Sequence, residues 1–237
     1  GNTVAGTNAG DSFDGTNATN NTLIGKNAGT AITTGDKNTA VGAEALDANT
    51  TANRNTAIGY QSLTTNSTGA NNTASGTYAL LSNTTGTDNA AFGDAALYNN
   101  TTASDNTALG RSAMSQNTTG ANNTAVGKNA LNNNTTGINN TAVGHLALDA
   151  NTTGGSNTCI GRNSLGANTT GGANFAGGIS ALENNTTASN NTAVGYFALL
   201  SNTTGTQNTA VGSLALDANT TGQNNSALGF HSLGGNT

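Results

Sequence analysis

The chain has no proline, no tryptophan and one cysteine, and only 7% of its 237 residues are charged. Each shortage removes a class of protein. One cysteine excludes an internal disulfide framework and leaves the redox compartment open. Six Lys and Arg against eleven Asp and Glu supply no basic stripe to neutralise phosphates, so nucleic acid is not an expected partner. No apolar run approaches the ~20 residues of a membrane-spanning helix and no signal-peptide pattern is present, so membrane insertion is not expected. Disordered chains usually carry high charge or abundant proline, and this one has neither.

What the chain has is glycine, 33 of them, much of it on a fixed beat. The glycine of N-T-A-V-G recurs at Gly25, Gly42, Gly59, Gly76, Gly93, Gly110, Gly127, Gly144, Gly161, Gly178, Gly195, Gly212 and Gly229, 13 copies at a constant step of 17. The consensus is N-T-A-V-G-x-x-A-L-x-x-N-T-T-G-x-x. Only the start departs: Gly6 in NTVAG lies 19 residues before Gly25. Residues 1–20 read as an irregular first coil or cap, and 21–237 as the repeat array.

Seventeen residues are too few for a two-helix repeat, which needs roughly 33. Gly, Asn and Thr in every copy disfavour a continuous helix, and collagen needs Gly at every third position. An all-β fold remains: a parallel β-solenoid, β-roll or β-helix, of about 13 coils with one phrase per coil. Stacked at about 4.8 Å, such coils would make a rod on the order of 60 Å long.

The columns of the repeat suggest what holds a coil. Asn stands four residues before every repeat glycine: Asn21, Asn38, Asn55, Asn72, Asn89, Asn106, Asn123, Asn140, Asn157, Asn174, Asn191, Asn208 and Asn225. A second Asn column runs from Asn49 every 17 residues to Asn236, preceded by Ile32 as its exception. Stacked Asn side chains can bond carboxamide to carboxamide or to the backbone of a turn. Turn architecture is the expected role of these columns, and a ligand-binding row the alternative.

The apolar columns point outward as well as inward. The residue before the glycine is usually bulky (Ile24, Val41, Ile58, Phe92, Leu109, Val126, Val143, Ile160, Val194, Val211, Leu228), and the one before that is usually Ala. Neighbours on a strand face opposite ways, so both faces of this strand are apolar. The same reading applied to the A-L pair, with Leu from Leu46 to Leu233 and Met114 as the one swap, puts one column of each pair inside and the other outside. A long apolar stripe is rarely left bare. The columns with Val41, Ile58, Phe92, Leu109, Val126, Val143, Ile160, Val194 and Val211 are therefore the candidates for contact between chains in a homo-oligomer.

Chemistry is scarce. His145 and His231 are five coils apart, roughly 24 Å, and cannot form a dyad. Asp47, Asp149 and Asp217 share a slot, but several coils separate them, too far to share a metal. Cys159 replaces a column alanine and reads as a small core residue. No nucleophile–base pair, zinc spacing or phosphate loop is visible, so no enzymatic activity, metal or cofactor is expected. The two slots after the glycine and the two after Leu vary freely and hold Tyr60, Tyr78, Tyr98, Tyr196, Phe197 and Phe230. Such aromatics can stack on sugars; surface variation or lateral packing is the alternative. Asn-x-Thr tripeptides come with the repeat and speak only weakly for glycosylation.

N-T-A-V-G-x-x-A-L-x-x-N-T-T-G resembles the 17-residue repeats of bacterial and phage fibre proteins of tail-fibre type. It is similar in character to the N-S-V-A-I-G repeats of trimeric autotransporter adhesin heads, from which it departs in period. That resemblance covers residues 21–237. It implies left-handed β-rolls packed as a trimer, with one apolar face inside each roll and one at the trimer centre, outside the cell, on its surface or on a virion. The function it implies is structural: a rigid fibre or filament built by side-by-side or head-to-tail association. An adhesin recognising glycans or surfaces is one alternative. Ice binding is another, suggested by Thr columns such as Thr51, Thr68, Thr85, Thr102 and Thr119, although no T-x-T strand is present. The sequence stops at Asn236–Thr237 inside an N-T-T-G phrase. Two readings of that edge stay open: a segment of a longer repeat protein, or an edge that pairs with the first coil of the next subunit.

Overall fold

The computed structural model describes residues 1–13 and 17–235; Asn236, the last of the second Asn column, lies outside them. Each N-T-A-V-G phrase yields one strand of three residues. The chain divides into two compact units, Gly1–Ala121 and Asn122–Thr237. The first holds β1 (Thr3–Ala5), β2 (Thr22–Ile24), β3 (Thr39–Val41), β4 (Thr56–Ile58), β5 (Thr73–Ser75), β6 (Ala90–Phe92) and β7 (Thr107–Leu109). The second holds β8 (Thr124–Val126), β9 (Thr141–Val143), β10 (Thr158–Ile160), β11 (Phe175–Gly177), β12 (Thr192–Val194), β13 (Thr209–Val211) and β14 (Ser226–Leu228). Within each unit every strand pairs in parallel with the next one in sequence, and like slots face like: Thr39 with Thr56, Ala40 with Ala57, Val41 with Ile58. Each unit is thus a parallel β-solenoid with one 17-residue phrase per coil, and the described residues contain no helix.

The glycine that ends each strand sets the beat. Gly59 has φ +132, and a Cβ built on it would lie 2.5 Å from the carbonyl oxygen of Gly76 in the next coil. Coil-to-coil stacking therefore needs a residue without a side chain here, in a conformation that other residues rarely adopt.

After the glycine the chain turns, and here one expectation is corrected. Alternation of faces holds only for extended backbone. The Leu slot is left-handed, with φ of 56, 53 and 54 at Leu46, Leu63 and Leu80. The A-L pair is a corner and not a strand, and both of its columns are buried: Ala45 with Leu46 and Ala79 with Leu80 are fully inaccessible. A left-handed L-residue costs about 1–2 kcal/mol. Burying a leucine returns about 1.5–3 kcal/mol, enough to hold the corner.

The core is narrow, filled by the strand alanines, the corner Ala and Leu, and both Asn columns. Where one filler is missing, others replace it. Gly29 occupies a Leu slot, and the space beside it is taken by Leu23 in an Ala slot and Ile32 in an Asn slot. One coil earlier the same exchange sets Gly10 against Phe13 and Leu23. The first coil keeps its register despite its extra length: Thr3 pairs with Thr22, and Asn2 Nδ2 donates to the carbonyl of Ala18 at 2.9 Å.

Gly59→Ala should destabilise the fold by at least about 2 kcal/mol, from backbone strain together with the clash on Gly76. A urea unfolding midpoint within error of the parent's would refute this reading of the glycine column.

Candidate interaction surface

The Asn columns lie inside the coils, and they share one acceptor while differing in their other bonds. The Oδ1 of an Asn preceding a strand accepts from the backbone N–H of its counterpart in the next coil: Asn38 to Asn21 at 2.8 Å, Asn55 to Asn38 at 3.0 Å, Asn72 to Asn55 at 2.9 Å. In the second unit the same bond joins Asn140 to Asn123 at 2.9 Å and Asn191 to Asn174 at 3.0 Å. Its Nδ2 crosses the coil to the small residue of the T-T-G turn, as from Asn72 to the Gly86 carbonyl at 2.8 Å. The turn Asn supplies the carboxamide ladder: Asn83 Nδ2 donates to Asn66 Oδ1 at 2.8 Å, and Asn151 Nδ2 to Asn134 Oδ1 at 2.9 Å. It also reaches its own turn, from Asn83 Nδ2 to Gly86 O at 3.0 Å. One carbonyl per coil thus accepts from both Asn columns, which satisfies groups that would be costly to bury alone. Of each Thr pair, the first bonds along the stack, as from Thr84 Oγ1 to Thr101 O at 3.0 Å. The second, as at Thr51, Thr68, Thr85, Thr102 and Thr119, is exposed.

With Ala pointing in, the bulky member of most strands points out. Ile58 is 43% exposed and Leu109 49% in the first unit, and Ile160 is 49% exposed in the second. Ile24, Phe92 and Val194 are exposed too, and Val41, Val126, Val143 and Val211 are half-buried. The residue two before each of these, usually Thr, shares that outward face. No charged residue occupies either outward position in any of the fourteen strands. Each unit therefore carries a neutral ribbon of threonine beside aliphatic and aromatic side chains.

The aromatics of the variable slots gather in three places. Tyr60, Tyr78 and Tyr98 come from three successive coils and three different slots. Their rings nevertheless meet edge to face, with centroids 5.6 Å apart for the first pair and 6.2 Å for the second. Tyr196 stacks on Phe197 at 3.9 Å, and Phe230 lies against His231 at 6.2 Å. The triad has no signal in the repeat columns, because its members step sideways from slot to slot. Sequence reasoning also passed over Ile138 and Ile179, both well exposed. Both fall at variable positions of the consensus, Ile138 after the T-T-G turn and Ile179 after the repeat glycine, so nothing in the columns marks them.

An open depression of about 250 Å³ lies beside Gly166, lined by Asp149, Asn163 and Glu183 among others. Burial pushes the Asp149 carboxyl up from its ordinary range, and the nearby His145 opposes that shift. The Cys159 thiol, wholly buried, is pushed far up and is inert as a nucleophile. Among the described residues no group of three His, Cys, Asp or Glu could hold a metal ion, and no helix is long and apolar enough to cross a membrane.

No known family model matches the chain, and no curated protein is significantly similar to it.

Asn72→Ala removes the donor to Gly86 and the acceptor for the Asn89 backbone N–H. It should cost about 1–3 kcal/mol, read as a lowered urea midpoint; an unchanged midpoint would refute the clamp. Asp149→Asn should raise Tm at neutral pH. A raised native pKa means that ionised Asp149 opposes folding above that pKa, whereas below the ordinary carboxylate range both states are protonated and the difference vanishes. A gain that persists undiminished in acid would contradict this assignment.

Proposed function

We propose that this protein is a structural subunit of an extracellular fibre or filament, assembled by self-association of its solenoids along the neutral outward ribbon. The observation that carries the reading is that ribbon: bulky apolar side chains out, alanine in, and no charge at either outward position. A chain built only to fold alone would place polar side chains there. Lateral packing of ribbons, in a trimer of left-handed rolls on the fibre-protein pattern, would bury the stripe. The low charge of the whole chain suits dense packing of identical subunits, since like charges facing each other would be costly. Head-to-tail stacking would extend the assembly by the same parallel pairing that joins coils. Nothing in the site supports a reaction, so the role proposed is mechanical.

Sedimentation velocity provides the test. The parent chain should sediment as an oligomer, and Ile24→Lys, Ile58→Lys and Ile160→Lys together should convert it to monomer while the far-UV circular dichroism is retained. A parent chain that stays monomeric at high micromolar concentration sinks the proposal.

A second reading, an adhesin for glycans, is favoured by the Tyr60–Tyr78–Tyr98 triad, whose contacts the fold's periodicity does not require. Under it, Tyr60→Ala and Tyr78→Ala should abolish binding on a glycan array. Binding equal to the parent's would remove that reading.

A further inference from the structure

The turn asparagines carry an implication independent of self-association. Asn49, and every seventeenth residue from it to Asn219, is followed two residues later by Thr with no proline between. Each of these eleven is therefore an acceptor tripeptide for Asn-linked glycosylation. The strand asparagines are not, because N-T-A lacks the hydroxyl residue at the required place.

In the folded chain all eleven turn asparagines are wholly inaccessible. In nine of them the Nδ2, the atom that would accept a glycan, commits both hydrogens; Asn49, with Ile32 in the matching slot of the preceding coil, donates to the Ala52 carbonyl at 3.1 Å. Asn83 Nδ2 donates to Asn66 Oδ1 at 2.8 Å and to Gly86 O at 3.0 Å. Asn168 Nδ2 donates to Asn151 Oδ1 and Gly171 O, both at 2.9 Å. Glycosyl transfer forms a bond from Nδ2 to the sugar C1 and breaks the bond from C1 to the pyrophosphate of a lipid-linked oligosaccharide donor. One Nδ2 proton goes to a base, and the lipid pyrophosphate departs. The product keeps one N–H where the ladder needs two, and it sets a sugar in a core with no room for it.

We propose that the turn asparagines are glycan acceptors only in the unfolded chain, and that glycosylation at these asparagines and folding of this protein exclude one another. Exposed acceptors of the same tripeptide type, Asn71, Asn122, Asn139 and Asn190, are not bound by this exclusion, because their side chains lie outside the coil. The protein can therefore reach the outside of a cell in folded form only by a route on which oligosaccharide transfer to unfolded chains does not act.

The intact chain, directed through the secretory route of a eukaryotic cell, tests this in three arms. In the first, glycosylation is active. In the second, synthesis of the lipid-linked donor is blocked. In the third, Thr51 and its ten counterparts, the exposed hydroxyl residues of these tripeptides, are changed to Ala while every ladder Asn stays. The first arm should yield glycopeptides at the turn asparagines and at least about tenfold less folded, secreted protein than the other two. Equal yields in the three arms, or folded protein carrying glycans on the turn asparagines, would overturn the proposal. So would failure of the Thr→Ala chain to recover when the donor-blocked arm does.

Discussion

One carbonyl per coil, that of the small residue closing the T-T-G turn, accepts from two buried carboxamides, and the rest of the coil is arranged around it. A coil of 17 residues has a three-residue strand and a core of alanine and leucine, too little apolar area to close the ring by hydrophobic burial alone. The strand Asn spans the coil from the strand entrance to that carbonyl and ties the loop shut. Its oxygen then takes the backbone N–H of the next coil, so the bond that closes one coil positions its neighbour. Buried amides that are satisfied this completely resist rearrangement, because any slip in register strands several of them at once.

This internal use of polar residues explains the inverted exterior. In an ordinary half-buried strand the large apolar residue is inside and the polar one outside. Here the interior is occupied by Asn and the corner Leu and has space on the strand side for little more than Ala (Leu23, beside Gly29, and Cys159 are the exceptions), so Val, Ile, Leu and Phe are turned out beside Thr. The fold does not need them there. Under the proposed function, this neutral ribbon is the surface that a second copy of the same ribbon would cover.

The period, the parallel pairing and the burial of strand alanines were legible because a 17-residue return and the alternation of an extended strand are strong local signals. The bonding of the Asn columns was only half legible, since spacing identified them without deciding between ladder and turn bonds, and both columns reach the same turn carbonyl while only the strand column also accepts the backbone N–H of the next coil. The A-L pair misled because alternation was applied to residues that are not extended: a leucine at positive φ is uncommon, and nothing in the letters marks it. Volume exchange at Gly29 and Ile32 was visible only as two exceptions to the consensus, and their contact through Leu23 emerges in three dimensions. The tyrosine triad lay beyond column reasoning altogether, because its rings meet across slots.

Hydrogen exchange at the asparagine side-chain amides, followed by NMR, probes the buried carboxamides directly. The Nδ2 protons of Asn72 and Asn83, and of their counterparts along each unit, should exchange as slowly as the backbone amides of the strands beside them. Exchange at the rate of free asparagine, with the strand amides still protected, would show that the coils are held by something other than this clamp.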